Sequence, residues 1–385
     1  MSREIEVWQA VLNDESLLEK AAEVDPSDVS AVARLRRDYP AKAVSVALEL
    51  SRARAKAAEK FGERGRSVVA DVQGVEQASG AGPGAYKARR IRESIEGGAV
   101  ADLCCGIGGD SMAMCEAGIG VVAVDREELR AWMASVNTGG KASTLCADVC
   151  DLALRGMAVH IDPARRDENA GRRAWRLSDY QPGPEVVGRL IEQSSAAAVK
   201  LSPGIDLDEL PWRGEVQFIS EHGRLVQAVL WTGAFARASR SATLIDAAGR
   251  HTISGDASEP TIGQALRYLY AIDPAVERAQ LIGPLAASCD APAIHPRLGL
   301  LTSDRMIASP WLTGFELIER LPWRPKRVKA WLAGNDGGLV EVKTRGKACD
   351  PDTEQRNLRG GGTTTYTVFV LRFGTKVEAL ITRRL

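Results

Sequence analysis

Between residues 98 and 201, short apolar runs alternate with stretches whose apolar positions recur every three or four residues. The runs at 98–104, 120–125, 142–147, 157–162 and 195–201 have the length and make-up of strands buried on both faces. The stretches around 110–117, 127–137 and 184–194 predict helices. In the second, Leu129, Met133 and Val136 share one face, as packing on a sheet requires. Beyond 201, Val216–Ser220 and Leu225–Trp231 flank the turn Glu221-His-Gly-Arg and predict an antiparallel hairpin. The alternation closed by a hairpin predicts an α/β fold with a Rossmann-like, seven-stranded sheet over residues 93–252.

The flanks read differently. Residues 1–92 predict a mainly helical region: Trp8, Val11 and Leu12 start one amphipathic stripe. Val44, Ala47 and Leu48, followed by the alternating charges of RARAKAAEKF, start another that ends near Gly62. Ser67-Val-Val-Ala reads as a short β-like piece, and Gly80, Gly82, Pro83 and Gly84 as a breaker cluster. The basic residues of Tyr86-Lys-Ala-Arg-Arg-Ile-Arg are expected on a solvated helix face. Residues 253–385 predict a separate α/β domain, helix-like from Gly263 to Ile282 with a break at Asp273-Pro274. Strands are expected there at 337–343, 364–373 and 376–383.

Composition narrows the partners more than the fold. The 385 residues are 45% hydrophobic and 26% charged, enough to bury proper cores. The 50 basic and 50 acidic residues cancel, so a nucleic acid would have to be met by local patches. No apolar run reaches membrane-spanning length, and the early acids of MSREIEVWQ argue against a secretory signal. The seven cysteines lack paired metal-ligand spacing, so no metal and a cytoplasmic setting with reduced thiols are expected.

The candidate chemistry starts where the first run ends. Asp102 is followed by Cys104, Cys105, Gly106, Ile107, Gly108 and Gly109, and Asp110 opens the next helix. Glycines let a backbone approach a ligand closely, and the helix behind them offers free N–H groups. A dinucleotide fingerprint wants a glycine where Ser111 stands, and Asp102 would repel a pyrophosphate. S-adenosylmethionine (SAM) carries a sulfonium and an α-amino group and no phosphate, so the same acids attract it. Asp125, ending the second strand, is placed to accept both ribose hydroxyls, and Asp148, after the third, to accept from the adenine amino group. The bland reading, a tight turn with helix-capping acids, does not account for acids at three successive strand ends. Asp102, Cys104, Gly106, Gly108, Gly109, Asp110, Asp125 and Asp148 form the candidate cofactor set.

The fourth strand ends in His160-Ile-Asp162-Pro163-Ala164-Arg165-Arg166. This resembles motif IV of class I methyltransferases, an Asn or Asp followed by two prolines and then an aromatic residue or Arg. The resemblance implies that Asp162 and the carbonyl of Pro163 accept hydrogens from an exocyclic amine, orienting its lone pair. Ala164 departs from the second proline. Arg165 stands at the aromatic position, where a guanidinium can stack on a base. Asp-Pro-Ala-Arg also occurs in carbon-5 uracil methyltransferases, but those need a cysteine where this chain has Lys200-Leu-Ser202-Pro203.

With DLCCGIGGD, HIDPARR, VKLSPGID, AVLWTG and EVKTRG, nearly the full chain resembles a bacterial family of SAM-dependent methyltransferases carrying a THUMP-like C-terminal domain. Its central fold is similar to the trimethylguanosine synthase group. The resemblance implies methyl transfer from SAM. Through the RNA capture of THUMP domains in related enzymes, it also points to RNA.

Local charge bears on that partner. Arginines 165, 166, 172, 173 and 176 crowd the loop after the fourth strand, so Arg166, Arg172, Arg173 and Lys200 are candidate substrate contacts. Arg320 to Lys329 holds five bases, one tryptophan and no acid, a mixture that suits single-stranded RNA. Ser202 lacks a nucleophile elbow, which argues against a hydrolase, and the four histidines are scattered. The expected activity is SAM-dependent methylation of a base nitrogen in tRNA or rRNA. The alternatives are a small-molecule or protein acceptor, or an RNA-binding protein with a vestigial SAM pocket.

Overall fold

The computed structural model describes residues 2–95, 97–165 and 177–385. The chain divides into two compact units. The first holds residues 1–216 and 227–237, so the N-terminal helices share a unit with the parallel strands. The second holds 217–226 and 238–385.

In the first unit, helices α1 (Arg3–Leu12), α2 (Glu15–Ala22), α3 (Val29–Asp38) and α4 (Ala41–Phe61) come first. Val44, Ala47 and Leu48 of α4 join Val11, Leu17 and Leu35 in one apolar cluster. Leu50, Ala53, Ala57 and Phe61 face a second cluster containing Ile107, Met112 and Met133. One helix therefore bridges the N-terminal bundle and the elements around the glycine turn. Then follow α5 (Val72–Gln77) and α6 (Ala81–Ser94).

Two local expectations fail here for physical reasons. Ser67 is exposed and residues 68–70 are buried without being a strand: the Asn137 amide serves their backbone, accepting from Val69 N–H (2.8 Å) and donating to Val69 O (2.9 Å). The glycine cluster at 80–84 opens α6 rather than breaking the chain. Its small residues let α6 approach α7, where a Cβ on Gly84 would sit 3.4 Å from Ala113.

The sheet strands are β1 (Ala99–Leu103), β2 (Gly120–Asp125), β3 (Ser143–Cys146), β4 (Ala158–Ile161), β5 (Ala197–Leu201), β6 (Glu215–Glu221) and β7 (Arg224–Trp231). Helices α7 (Gly109–Glu116), α8 (Glu128–Asn137) and α9 (Pro184–Gln193) connect the parallel ones. Within a nine-stranded sheet these seven run in the order β3-β2-β1-β4-β5-β7-β6, with β1 to β5 parallel and β7 antiparallel to β5. The order reverses between β1 and β4, where ligands of open α/β sheets bind. The β6–β7 hairpin turns at His222 and Gly223, both at positive φ as a tight hairpin requires.

The second unit contains the hairpin β8 (Arg240–Asp246) and β9 (Gly249–Gly255) and a six-stranded sheet. That sheet is built from β10 (Tyr268–Ile272), β11 (Leu300–Ser303), β12 (Leu312–Pro322), β13 (Gly337–Arg345), β14 (Thr364–Phe373) and β15 (Lys376–Arg384), in the order β11-β10-β12-β15-β14-β13. The short helices α10 (Pro274–Arg278), α11 (Ile282–Cys289), α12 (Pro325–Gly334) and α13 (Pro351–Leu358) complete it. The helix-like reading of 263–282 is corrected: Tyr268–Ile272 is a strand buried on both faces, which leaves no period to separate it from a helix.

Candidate active site

The backbone tightens as β1 ends. Cys104 takes φ +61°, a costly conformation for a side-chain-bearing residue, and Gly106 (+56°) and Gly108 (+83°) follow in the left-handed region. Cys105 N–H donates to Val124 O (3.0 Å) and Gly108 N–H to Cys105 O (2.9 Å), which pins the turn against β2. A Cβ on Gly108 would lie 3.0 Å from Ala134 of α8, whereas one on Gly106 would meet nothing. Gly108 is thus needed for packing, and Gly106 leaves a bare backbone facing open space. Gly109 begins α7, 3.2 Å from Ala78 by the same measure. Burial pushes the thiols of Cys104 and Cys105 above their ordinary range, so neither is a ready nucleophile.

Asp125 is half-buried. Its Oδ2 accepts Gly106 N–H (2.9 Å) and its Oδ1 accepts Glu127 N–H (3.0 Å). A carboxylate has about four acceptor sites, so two remain, matching the two hydroxyls of a ribose. Asp148 is exposed, and the Cys150 backbone N–H bonded to it (2.8 Å) holds its carboxyl below the usual range.

Asp102 and Asp110, expected beside the ligand, are instead interior groups, 1% and 7% exposed. Asp102 accepts from Ser111 Oγ and lies 2.8 Å from His160 Nδ1. His160 Nε2 lies 3.2 Å from Lys87 Nζ, which also reaches Ser79 Oγ (3.0 Å) and Asp110 Oδ1 (2.7 Å). Ser79 Oγ in turn donates to Asp110 Oδ2 (2.8 Å). An ammonium has donors only, so His160 Nε2 accepts and its proton sits on Nδ1, facing Asp102. Burial opposes ionisation of Asp110, but the lysine ammonium groups, Lys87 foremost, outweigh it and hold the carboxyl well below its usual range.

Lys87 corrects the expectation of a solvated face on α6, as does Arg90. The latter, 5% exposed, forms a two-pronged pair with buried Glu215, donates to Phe235 O (2.7 Å) and stacks 4.3 Å over the Trp231 ring.

At the end of β4, Asp162 N–H donates to Leu103 O (3.1 Å), tying this strand end to the glycine turn. Its carboxylate is a quarter exposed and lies 2.7 Å from Lys200 Nζ on β5. Lys200, expected as a substrate contact, is thus engaged with Asp162. Pro163 is buried, and Ala164 and Arg165 pair with Gln181 and Tyr180 in a two-residue ribbon. The Tyr180 hydroxyl accepts Ser202 N–H (2.6 Å). Arg166, Arg172 and Arg173 lie outside the described residues. The residues that sequence reading missed are Ser79, Lys87 and Ser111. The one local hint was that Lys87 and Arg90 are three apart and so share a helix face.

A parallel sheet in this order, with a glycine turn after β1 and acids ending β2 and β4, defines the class I methyltransferase architecture. A crystal structure from Porphyromonas gingivalis W83 assigned as a methyltransferase superposes with a TM-score of 0.75 at 19% identity, over 96% of this chain and 97% of that one. A THUMP domain-like family matches residues 312–384. Uncharacterized SAM-dependent methyltransferases of two Mycobacterium tuberculosis strains, CDC 1551 / Oshkosh and H37Rv, are each 32% identical over 342 residues, covering 85% of this chain and 92% of theirs. The chain belongs to this family of SAM-dependent methyltransferases with a THUMP-like C-terminal region. SAM is its cofactor, and the bare backbone at Gly106 with the two remaining acceptor sites of Asp125 fits it. Among the described residues no helix is long and apolar enough to cross a membrane.

Proposed function

We propose that the enzyme methylates a base nitrogen of RNA, with tRNA or rRNA as substrate. The carrying observation is the carboxylate of Asp162 at the carboxyl end of β4, tied through its own N–H to the end of β1. SAM supplies an electrophilic methyl group on a sulfonium. The chain supplies position and charge. The Gly106 backbone and Asp125 hold the nucleoside part, and Asp148 accepts from the adenine amino group. Asp102 and Asp110 stand behind the turn, held by Ser111 and by Lys87. Asp162 and the Pro163 carbonyl accept hydrogens from the acceptor amine, turning its lone pair toward the methyl and stabilising the positive charge that develops on nitrogen.

RNA as acceptor is supported by exposed Arg324, Lys326, Arg327 and Lys329 around the start of α12, inside the THUMP-like match. Cations at a helix start oppose the dipole, so the segment gains from an anionic partner. The test is transfer of labelled methyl from SAM to total RNA from a strain lacking the gene. RNase-sensitive label is expected, and Asp162→Ala should bind SAM normally while losing turnover. Label confined to an RNase-resistant fraction would replace RNA by a small molecule or protein.

A further inference from the structure

Lys200 is engaged at both ends of its reach. Its Nζ lies 2.7 Å from Asp162 Oδ2 and donates to the Gln77 carbonyl at 3.1 Å, with the side chain only 12% exposed. Gln77 ends α5, an element of the N-terminal region that precedes the sheet. The two carbonyls before it, Val75 O and Glu76 O, take Lys60 Nζ at 2.7 and 2.9 Å. The last carbonyls of a helix lack intrahelical partners and carry partial negative charge, so they hold ammonium groups well. Two lysines from separate elements thus converge on one helix end, and one of them also grips the carboxylate of the site.

We propose that Lys200 is a positioning residue for methyl transfer. Anchored on the carbonyl end of α5, it fixes the Asp162 carboxylate through Oδ2 and leaves Oδ1 as the oxygen that accepts the N–H of the methyl acceptor. This rests on the reading of Asp162 as that acceptor. A carboxylate at the end of a strand otherwise samples several rotamers, and orientation within a site is worth large factors in rate. A charge-assisted bond to a cation that is itself tethered removes that freedom. It also makes α5 part of the acceptor site.

A cycle of four proteins tests this with full-length enzyme, labelled SAM and the same total RNA: wild type, Lys200→Met, Asp162→Ala and the double variant. Lys200→Met is expected to lower kcat about 30- to 100-fold with the SAM Kd within about twofold, and Lys200→Arg to recover part of the loss. In the Asp162→Ala background, Lys200→Met should cost at most about twofold more, because it acts through a group already gone. Lys60→Met removes the neighbouring ammonium from the same helix end without touching Asp162. It should lower the melting temperature and leave kcat unchanged.

Wild-type kcat in Lys200→Met, or losses that multiply in the double variant, would overturn the proposal while leaving the role of Asp162 intact. Full turnover in Asp162→Ala would overturn both. A crystal structure of Lys200→Met is a check independent of the acceptor. Asp162 should leave its single rotamer, and an unchanged, fully ordered side chain would refute the positioning role.

Discussion

Replacing Asp125 by asparagine changes few atoms and disturbs the site in a calculable way. Each carboxylate oxygen accepts one backbone N–H, from Gly106 and from Glu127, and each keeps capacity for one ribose hydroxyl. An amide offers one oxygen and an NH2 that accepts nothing. One backbone N–H therefore loses its partner, at a cost of about 1–3 kcal/mol to the apo protein, and one ribose hydroxyl loses its acceptor. The charge that strengthened the remaining bond is also gone, so the loss in binding should be about 2–4 kcal/mol. That is about 30- to 1,000-fold in the SAM Kd. Calorimetric titration with SAM and with S-adenosylhomocysteine measures it, and thermal melting without ligand measures the apo cost. A folded Asp125→Asn protein binding SAM within about threefold of wild type would refute the two-acceptor geometry.

Gly106→Ala places a methyl in open space at φ +56°, so it should cost about 1 kcal/mol of stability yet abolish SAM binding, as calorimetry on the folded variant would reveal. Lys87→Met strands Asp110 in the interior and should lower stability by about 3–5 kcal/mol in urea unfolding, with Lys87→Arg failing to restore it in so tight a cavity. In the second unit, burial raises the Glu277 carboxyl from 4.5 to about 7, against the pull of Arg345. Between those values the folded chain binds a proton that the unfolded chain has released, so stability should fall as pH rises through that window. Glu277→Gln should flatten melting curves taken across it.

What could be read from the sequence was local chemistry. Strand ends, glycines and the acids beside them lie within a few positions of one another, so the turn from Asp102 to Asp110 and the ends of β2 and β4 were legible. The partners of those acids were not. Lys87 meets His160 across 73 residues and Arg90 meets Glu215 across 125, and a basic helix face looks the same in sequence whether its counter-charges are water or buried carboxylates. The pairing of Asp162 with Lys200 required β4 and β5 to be neighbours, a matter of sheet order. Residues 68–70 and 268–272 show the limit of periodicity. One apolar run is held by an Asn side chain, and the other is a doubly buried strand with no polar face to reveal it.

The distances along the chain also set an order of events during synthesis. Helix α6 is made early, carrying two cations whose acids do not yet exist. At about 5–20 residues per second, Arg90 waits roughly 6–25 s for Glu215 to be translated. Until then its guanidinium can only stay hydrated, and the edge of the sheet that buries it cannot close. The first unit is therefore completed from its far end, and a ribosome pausing before the β6–β7 hairpin would hold a nascent chain with its glycine turn built and its last buried charge still in water.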